Sequence, residues 1–136
     1  MDIAEECALV VTDDADPSPF RAVLTSTGRT RVLTVDGELD MSVVPDLATA
    51  AFAAAAEAEG GLVVDLTDAA FLSSSAITTL VKTSEHLPQG AVMALVATRP
   101  VVLRPIELSG IDRFMQVFPD LASAIAHVSG QDSDAT

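Results

Sequence analysis

Leu62-Val63-Val64-Asp65-Leu66 runs into Thr67-Asp68-Ala69-Ala70-Phe71-Leu72 and then into Ser73-Ser74-Ser75-Ala76-Ile77-Thr78-Thr79-Leu80-Val81. The first five residues follow Gly60-Gly61 and are mostly apolar without alternation, which predicts a short strand covered on both faces. The middle six read as a loop. From Ser75 onward, Ile77, Leu80, Val81 and Leu87 recur at helical spacing with the small Ser84 between them. That pattern predicts an amphipathic helix with one buried stripe. Ser73 is placed to cap it, its hydroxyl accepting from a free amide of the first turn. Ser74 then falls in the first turn, where amides point outward and the helix dipole favours negative charge. A phosphate at that position would be stabilised by the helix end. Serine is also a common cap with no chemistry, so the hydroxyls by themselves mark a helix start and nothing more.

Upstream of this stretch, residues 22–27 and 30–38 are two β-rich runs separated by Gly28-Arg29, which predicts a hairpin with a two-residue turn. The second run leads into Asp36-Gly37-Glu38-Leu39-Asp40. A helix then begins at Ser42 or Val43, with Pro45 in its first turn and Asp46 beside it. Leu47, Ala50, Ala51, Ala54 and Ala58 form its stripe, and Gly60-Gly61 stops it. Downstream, residues 91–96 read as a second buried strand and residues 102–109 as a short helix ended by Gly110. Residues 114–118 alternate like a strand, and a last helix runs from Pro119-Asp120-Leu121 through Val128. Strands alternating with helices after a hairpin predict an α/β fold. The expected architecture is a mixed four- to five-stranded sheet with an N-terminal hairpin, flanked by about four helices. Residues 20–128 would form one domain. The acidic stretch 1–19 would be a mobile lead-in with a short edge strand at residues 8–11, and residues 129–136 a disordered acidic tail.

Composition narrows the function. The chain has 136 residues, 7 basic against 20 acidic, and a formal net charge of −13. Nucleic acid and anionic membrane surfaces both need a basic face to neutralise phosphate, and neither is an expected partner. With 4% aromatic residues and no Trp or Tyr, the core must be aliphatic. Cys7 is the only cysteine, so no intramolecular disulfide and no cysteine-based metal site can form. No basic-then-apolar leader and no unbroken apolar run of about 20 residues is visible, so the chain reads as cytoplasmic and not membrane-inserted. Enzymatic chemistry is not expected either. The two histidines are His86 and His127. His86 lies about three turns from Ser74 on the same predicted helix, roughly 18 Å at 1.5 Å per residue, too far for a serine–histidine pair. The Gly-x-Ser-x-Gly elbow and the glycine–lysine phosphate loop are both absent, and no cofactor or metal is expected.

Three segments resemble one family. Gly37-Glu38-Leu39-Asp40, with Pro45 and Leu47 following, resembles the GELD-type segment of STAS domains. These domains include the anti-sigma-factor antagonists (anti-anti-sigma factors) of bacterial partner-switching systems. Val63-Val64-Asp65-Leu66 through Phe71-Leu72-Ser73-Ser74-Ser75-Ala76 is similar to the family's VxDL…F(L/M)DSSG stretch. Residues 108–114 with 118–124 match its end pattern. The resemblance covers residues 21 to 128.

The resemblance implies a function. In the family, the first serine after the aspartate of DSSG is phosphorylated by an anti-sigma factor that is also a serine kinase. The unphosphorylated form binds that anti-sigma factor and frees the sigma factor. A phosphatase resets the switch. By position, the implied acceptor is Ser74, with Ser73 and Ser75 as alternatives, and the GELD aspartate is Asp40. The docking patch would comprise Asp40, Ser73, Ser75 and the outward residues Thr78, Thr79 and Lys82. Two positions depart from the pattern: Ser73 stands where the family has Asp, and Ala76 where it has Gly. Ser73 preserves the cap but removes a carboxylate beside the acceptor. The alternative reading is a non-phosphorylated STAS module of a transporter or sensory complex.

Overall fold

In the computed structural model, residues 20–134 are described; residues 1–19, with Cys7 and the strand expected at residues 8–11, lie outside the described residues, as do 135 and 136. Gly28-Arg29 closes the predicted hairpin between β1 (Arg21–Thr27) and β2 (Thr30–Leu39), paired antiparallel from Arg21–Asp36 to Thr27–Thr30. Gly28 has φ +62°, the positive value such a turn requires, with open space around it.

β2 is ten residues long and takes further partners in sequence. Arg31 to Thr34 pair in parallel with β3 (Leu62–Asp65), and Gly37 to Leu39 pair in parallel with β4 (Ala69–Leu72), with a register shift between Gly37 and Glu38. β3 pairs with β5 (Met93–Val96) and β5 with β6 (Gln116–Phe118), again in parallel. The sheet therefore has six strands in the order β1-β2-β3-β5-β6, with β4 attached to β2. The extra strand is β4, read as loop from the sequence. Ala69-Ala70-Phe71-Leu72 has no alternation and little β propensity. It is a strand because the end of β2 supplies its hydrogen bonds, a long-range decision that propensity does not carry.

Four helices cover the sheet: α1 (Val44–Ala56), preceded by one 3-10 turn at Met41–Val43, α2 (Ser74–Ser84), α3 (Pro100–Ser109) and α4 (Leu121–Asp134). Leu33, Val35, Leu62, Val64 and Leu95 point into the larger apolar cluster, with the α1 stripe, Leu80 and Ile106. Their neighbours Val32, Val63, Ala94 and Val96 point the other way, onto Ala124 and Val128 of α4. Alternation along each strand thus divides one apolar run between two helix layers. The alanines of α1 allow close approach to the sheet and to α2. β6 begins two residues later than expected, because Ile111–Arg113 forms a 3-10 turn and Phe114 caps it.

α4 does not stop at Val128 but continues to Asp134, so most of the stretch expected to be a disordered tail is helical. The Ser129 hydroxyl, 3.1 Å from Thr30 Oγ1, ties this extension to the hairpin. At the other end of α4, the Ser123 amide donates to the Asp120 carboxylate at 2.7 Å. That bond holds the Asp120 pKa below the ordinary value of 3.8. An aspartate with a depressed folded-state pKa stabilises above its unfolded pKa, and the gain is lost as pH falls through the folded pKa. Asp120→Ala should therefore melt below wild type at pH 7, and the gap should close as the pH drops below about 3.8. Melting curves across that range check it.

Candidate functional site

The strand missed in the sequence is what assembles the site. Leu39 and Leu72 are register partners at the ends of β2 and β4, and the Ser73 amide donates to the Leu39 carbonyl at 2.9 Å. The chain leaving β2 enters the 3-10 turn through Asp40, while the chain leaving β4 enters α2 through Ser73. Both starts therefore lie side by side at the carboxyl ends of parallel strands, where α/β folds place ligand-facing loops.

The three serines have separate environments. Ser73 is extended and half-buried, and its Oγ accepts from the Ala76 amide at 3.1 Å, the predicted cap. Ser75 is also half-buried. Ser74 is the exposed one, at the first helical position. The Ser74 and Ser75 hydroxyls make no hydrogen bond among the described residues, although both backbone carbonyls accept from threonine hydroxyls one turn on. The first turn of α2 holds no acidic side chain. An incoming phosphoryl group would meet free amides and the positive end of an eleven-residue helix. Ser73→Ala should lower stability by about 1 kcal/mol through loss of the cap. It should leave Ser74 accessible. Urea denaturation beside a phosphorylation assay separates the two effects.

Asp40 stands beside this helix start, yet its carboxylate is committed locally. Oδ1 accepts from the Ser42 hydroxyl at 2.6 Å and the Ser42 amide at 3.0 Å, capping the 3-10 turn. The Ser42 hydroxyl bond is the main reason that its pKa lies below the ordinary aspartate value. Asp36, on β2, shifts the other way. Burial pushes its pKa up first, and Asp68 adds to it, against the lowering effect of Arg21.

Along α2, Ser74, Thr78 and Lys82 form an exposed row, as expected for the docking face. Thr79 does not belong to it. It is 5% exposed, on the buried side with Thr83, which is fully buried. Each hydroxyl donates to the carbonyl four residues back, Thr79 to Ser75 at 2.9 Å and Thr83 to Thr79 at 2.8 Å. With their polar groups satisfied inside the helix, threonines serve as small apolar residues on the packed face. His86 follows α2 and stacks on Phe52 of α1, with ring centroids 4.1 Å apart. His127 lies against Phe118, at 5.2 Å.

The surface around Ser74 also carries apolar residues that the sequence reading did not assign to the site. Met41 and Phe71 are exposed on the neighbouring segments, as are Leu108 in the last turn of α3 (83%) and Phe114 beyond its end (76%). A groove of about 280 Å³ runs between α2 and the 3-10 turn after α3, with Ser74, Ile77 and Val81 on one wall and Ile111 and Phe114 on the other. The signal available in the sequence was Phe114, a large apolar residue between charged Arg113 and the strand. Its alternation with Met115 predicts the start of β6 instead. Among the described residues, no helix is long and apolar enough to cross a membrane.

Comparison with known proteins agrees with this geometry. The STAS domain profile matches residues 21–124. The chain is 34% identical over 99 residues to the anti-sigma-F factor antagonist RsfB of Mycobacterium tuberculosis, covering 73% of this chain and 81% of that protein. Its structure is similar to that of an anti-sigma factor antagonist from Mycobacterium paratuberculosis, with TM-score 0.78 and 32% identity over 83% of this chain and 97% of the other. The fold is also that of the anti-sigma factor antagonist SpoIIAA in its unphosphorylated form, with TM-score 0.67 and 23% identity over 80% and 96% of the two chains.

Proposed function

This chain belongs to the STAS domain family, and on that premise we propose that it is an anti-sigma factor antagonist switched by phosphorylation of Ser74. Its unphosphorylated form binds an anti-sigma factor with serine kinase activity, and the sigma factor is released. The kinase then transfers the γ-phosphoryl group of ATP to Ser74. A bond forms between Ser74 Oγ and γ-phosphorus, the bond from that phosphorus to the β,γ-bridging oxygen breaks, ADP leaves, and the hydroxyl proton passes to a base of the kinase. The new group carries about −1.5 to −2 charges at neutral pH. In a desolvated contact without a facing cation, such charge is costly. The partner is lost without any change of fold, and a phosphatase that hydrolyses the ester restores binding.

The observation that carries this reading is the division of labour among the serines. Ser73 is occupied as a cap and Ser75 is half-buried, whereas Ser74 is exposed and its hydroxyl makes no hydrogen bond among the described residues. With Asp40, Ser73, Ser75, Thr78 and Lys82 it makes up the docking face. Thr79 is withdrawn from that set because it is buried.

The test is incubation with the cognate anti-sigma factor and ATP, followed by phosphopeptide mapping. Label on Ser74, absent in Ser74→Ala, is expected, together with ATP-dependent loss of binding. Label that persists in Ser74→Ala would falsify the assignment. Binding insensitive to ATP would point instead to a constitutive STAS module.

A further inference from the structure

The chain carries 20 acidic side chains among 136 residues, yet the start of α2 carries none. A helix start is where a carboxylate is most favoured, because the amides there face outward at the positive end of the dipole. At the N-cap, Asp, Asn and Ser serve about equally well. The cap here is Ser73, whose Oγ accepts from the Ala76 amide at 3.1 Å. A carboxylate at position 73 would accept the same bond and hold the same turn. The fold therefore does not require serine over aspartate. What differs between them is one negative charge, placed directly beside the exposed Ser74.

The rest of the acceptor's surroundings agrees with this neutrality. Among the described residues, no ionisable side chain lines the groove beside Ser74. Asp40, at the neighbouring element start, has Oδ1 occupied by the Ser42 hydroxyl and amide. Ala76, which stands where the family has Gly, is fully buried, so its methyl faces the core. Of the two departures from the DSSG pattern, only the one at half-buried Ser73 reaches the surface where a partner can read it.

A kinase brings the negatively charged γ-phosphoryl group of ATP to this point. A carboxylate next to the acceptor would add repulsion and would have to be met by a cation on the kinase. A neutral cap needs no such cation. A cation placed opposite Ser73 would lose hydration without gaining a counter-charge, and an uncompensated charge in a contact is costly. Mismatches of this kind turn wrong partners away. We infer that Ser73 is a specificity residue for phosphorylation of Ser74. Its neutral cap selects a kinase whose surface opposite position 73 carries no cation, and it excludes one built for a carboxylate there. This rests on the function proposed above and adds which kinases can carry it out.

The test measures kcat and KM for phosphorylation of the full chain by the cognate anti-sigma factor, with Ser73→Asp and Ser73→Asn. Both replacements cap the helix, so both should melt with the wild type. They share a shape and differ by the charge, so the ratio between them reads the charge alone. Ser73→Asp should fall at least about tenfold below Ser73→Asn in kcat/KM, mostly through KM, and the gap should narrow as salt rises. Equal values for the two variants overturn the inference. A faster Ser73→Asp also overturns it, by revealing a cation opposite position 73. A gap indifferent to salt makes geometry the cause and overturns it too. A lowered melting point in both variants would show that the fold itself demands serine, and the inference fails on that ground. Wild type that takes no label on Ser74 removes the proposed function, an outcome the same assay distinguishes from the others.

Discussion

Gly61→Ala should be strongly destabilising for the addition of a single methyl group. Gly61 joins the end of the α1 segment to β3 at φ +102°, a region that costs a side chain about 1–2 kcal/mol. An added Cβ would also lie 2.0 Å from Val128 Cγ1 and 3.0 Å from the Val92 carbonyl oxygen. The backbone cannot yield easily. The Gly61 amide donates to Ala58 O at 3.0 Å, and its carbonyl accepts from Arg31 N at 2.9 Å. Forcing a methyl into a packed contact costs about 1–3 kcal/mol more. The two effects together come to about 2–5 kcal/mol, a large share of the roughly 5–15 kcal/mol that a domain has. The urea midpoint should fall accordingly, with an unchanged slope. Gly28→Ala is the matched control. Its φ is also positive, at +62°, but nothing lies within 4 Å of the added carbon, so only the conformational cost should appear. Trimming Val128 in the Gly61→Ala background should recover part of the loss, since the two positions share one contact. Equal midpoints for Gly61→Ala and Gly28→Ala would show that α4 does not sit against β3 as described.

Ser74→Glu should separate binding from stability. Affinity for the anti-sigma factor should drop at least about a hundredfold, because an uncompensated charge in a desolvated contact costs about 3–5 kcal/mol. The nearest cation on α2 is Lys82, eight residues on, about 12 Å along the axis and beyond the roughly 8 Å screening length at physiological salt. The melting temperature should hold or rise slightly, since a carboxylate in the first turn of a helix is favourable by about 0.3–1 kcal/mol. Ser74→Ala should bind like wild type and ignore ATP. A Ser74→Glu variant that binds normally in a calorimetric titration, while the phosphorylated wild type does not, would place the discrimination in phosphate geometry and not in charge. A variant that loses binding only because it unfolds would betray itself in the same melt.

Much of this protein follows from local patterns. The hairpin turn at Gly28, the α1 stripe, the strands at residues 62–65 and 93–96 and the Ser73 cap depend on neighbours within a few residues, so the order of residues alone determines them. The three motifs that resemble STAS domains are likewise contiguous in the chain, and they led to Ser74. What the tertiary structure decided involves partners distant in sequence. β4 exists because Gly37–Leu39 offers it hydrogen bonds, and that pairing sets Ser73 against Leu39. Thr79 faces inward because the side of α2 that carries Ala76, Leu80 and Thr83 is packed against the rest of the domain; its hydroxyl bond to Ser75 only satisfies the buried group, since exposed Thr78 makes the same bond to Ser74. α4 extends past Val128 with Ser129 bonded to Thr30, 99 residues away. The groove beside Ser74 lies between α2 and the turn after α3, a juxtaposition that neither segment encodes by itself. Local residue order chose most of the elements and singled out Ser74 as the proposed phosphoacceptor; long-range packing chose which serine stays exposed and which apolar side chains stay uncovered beside it.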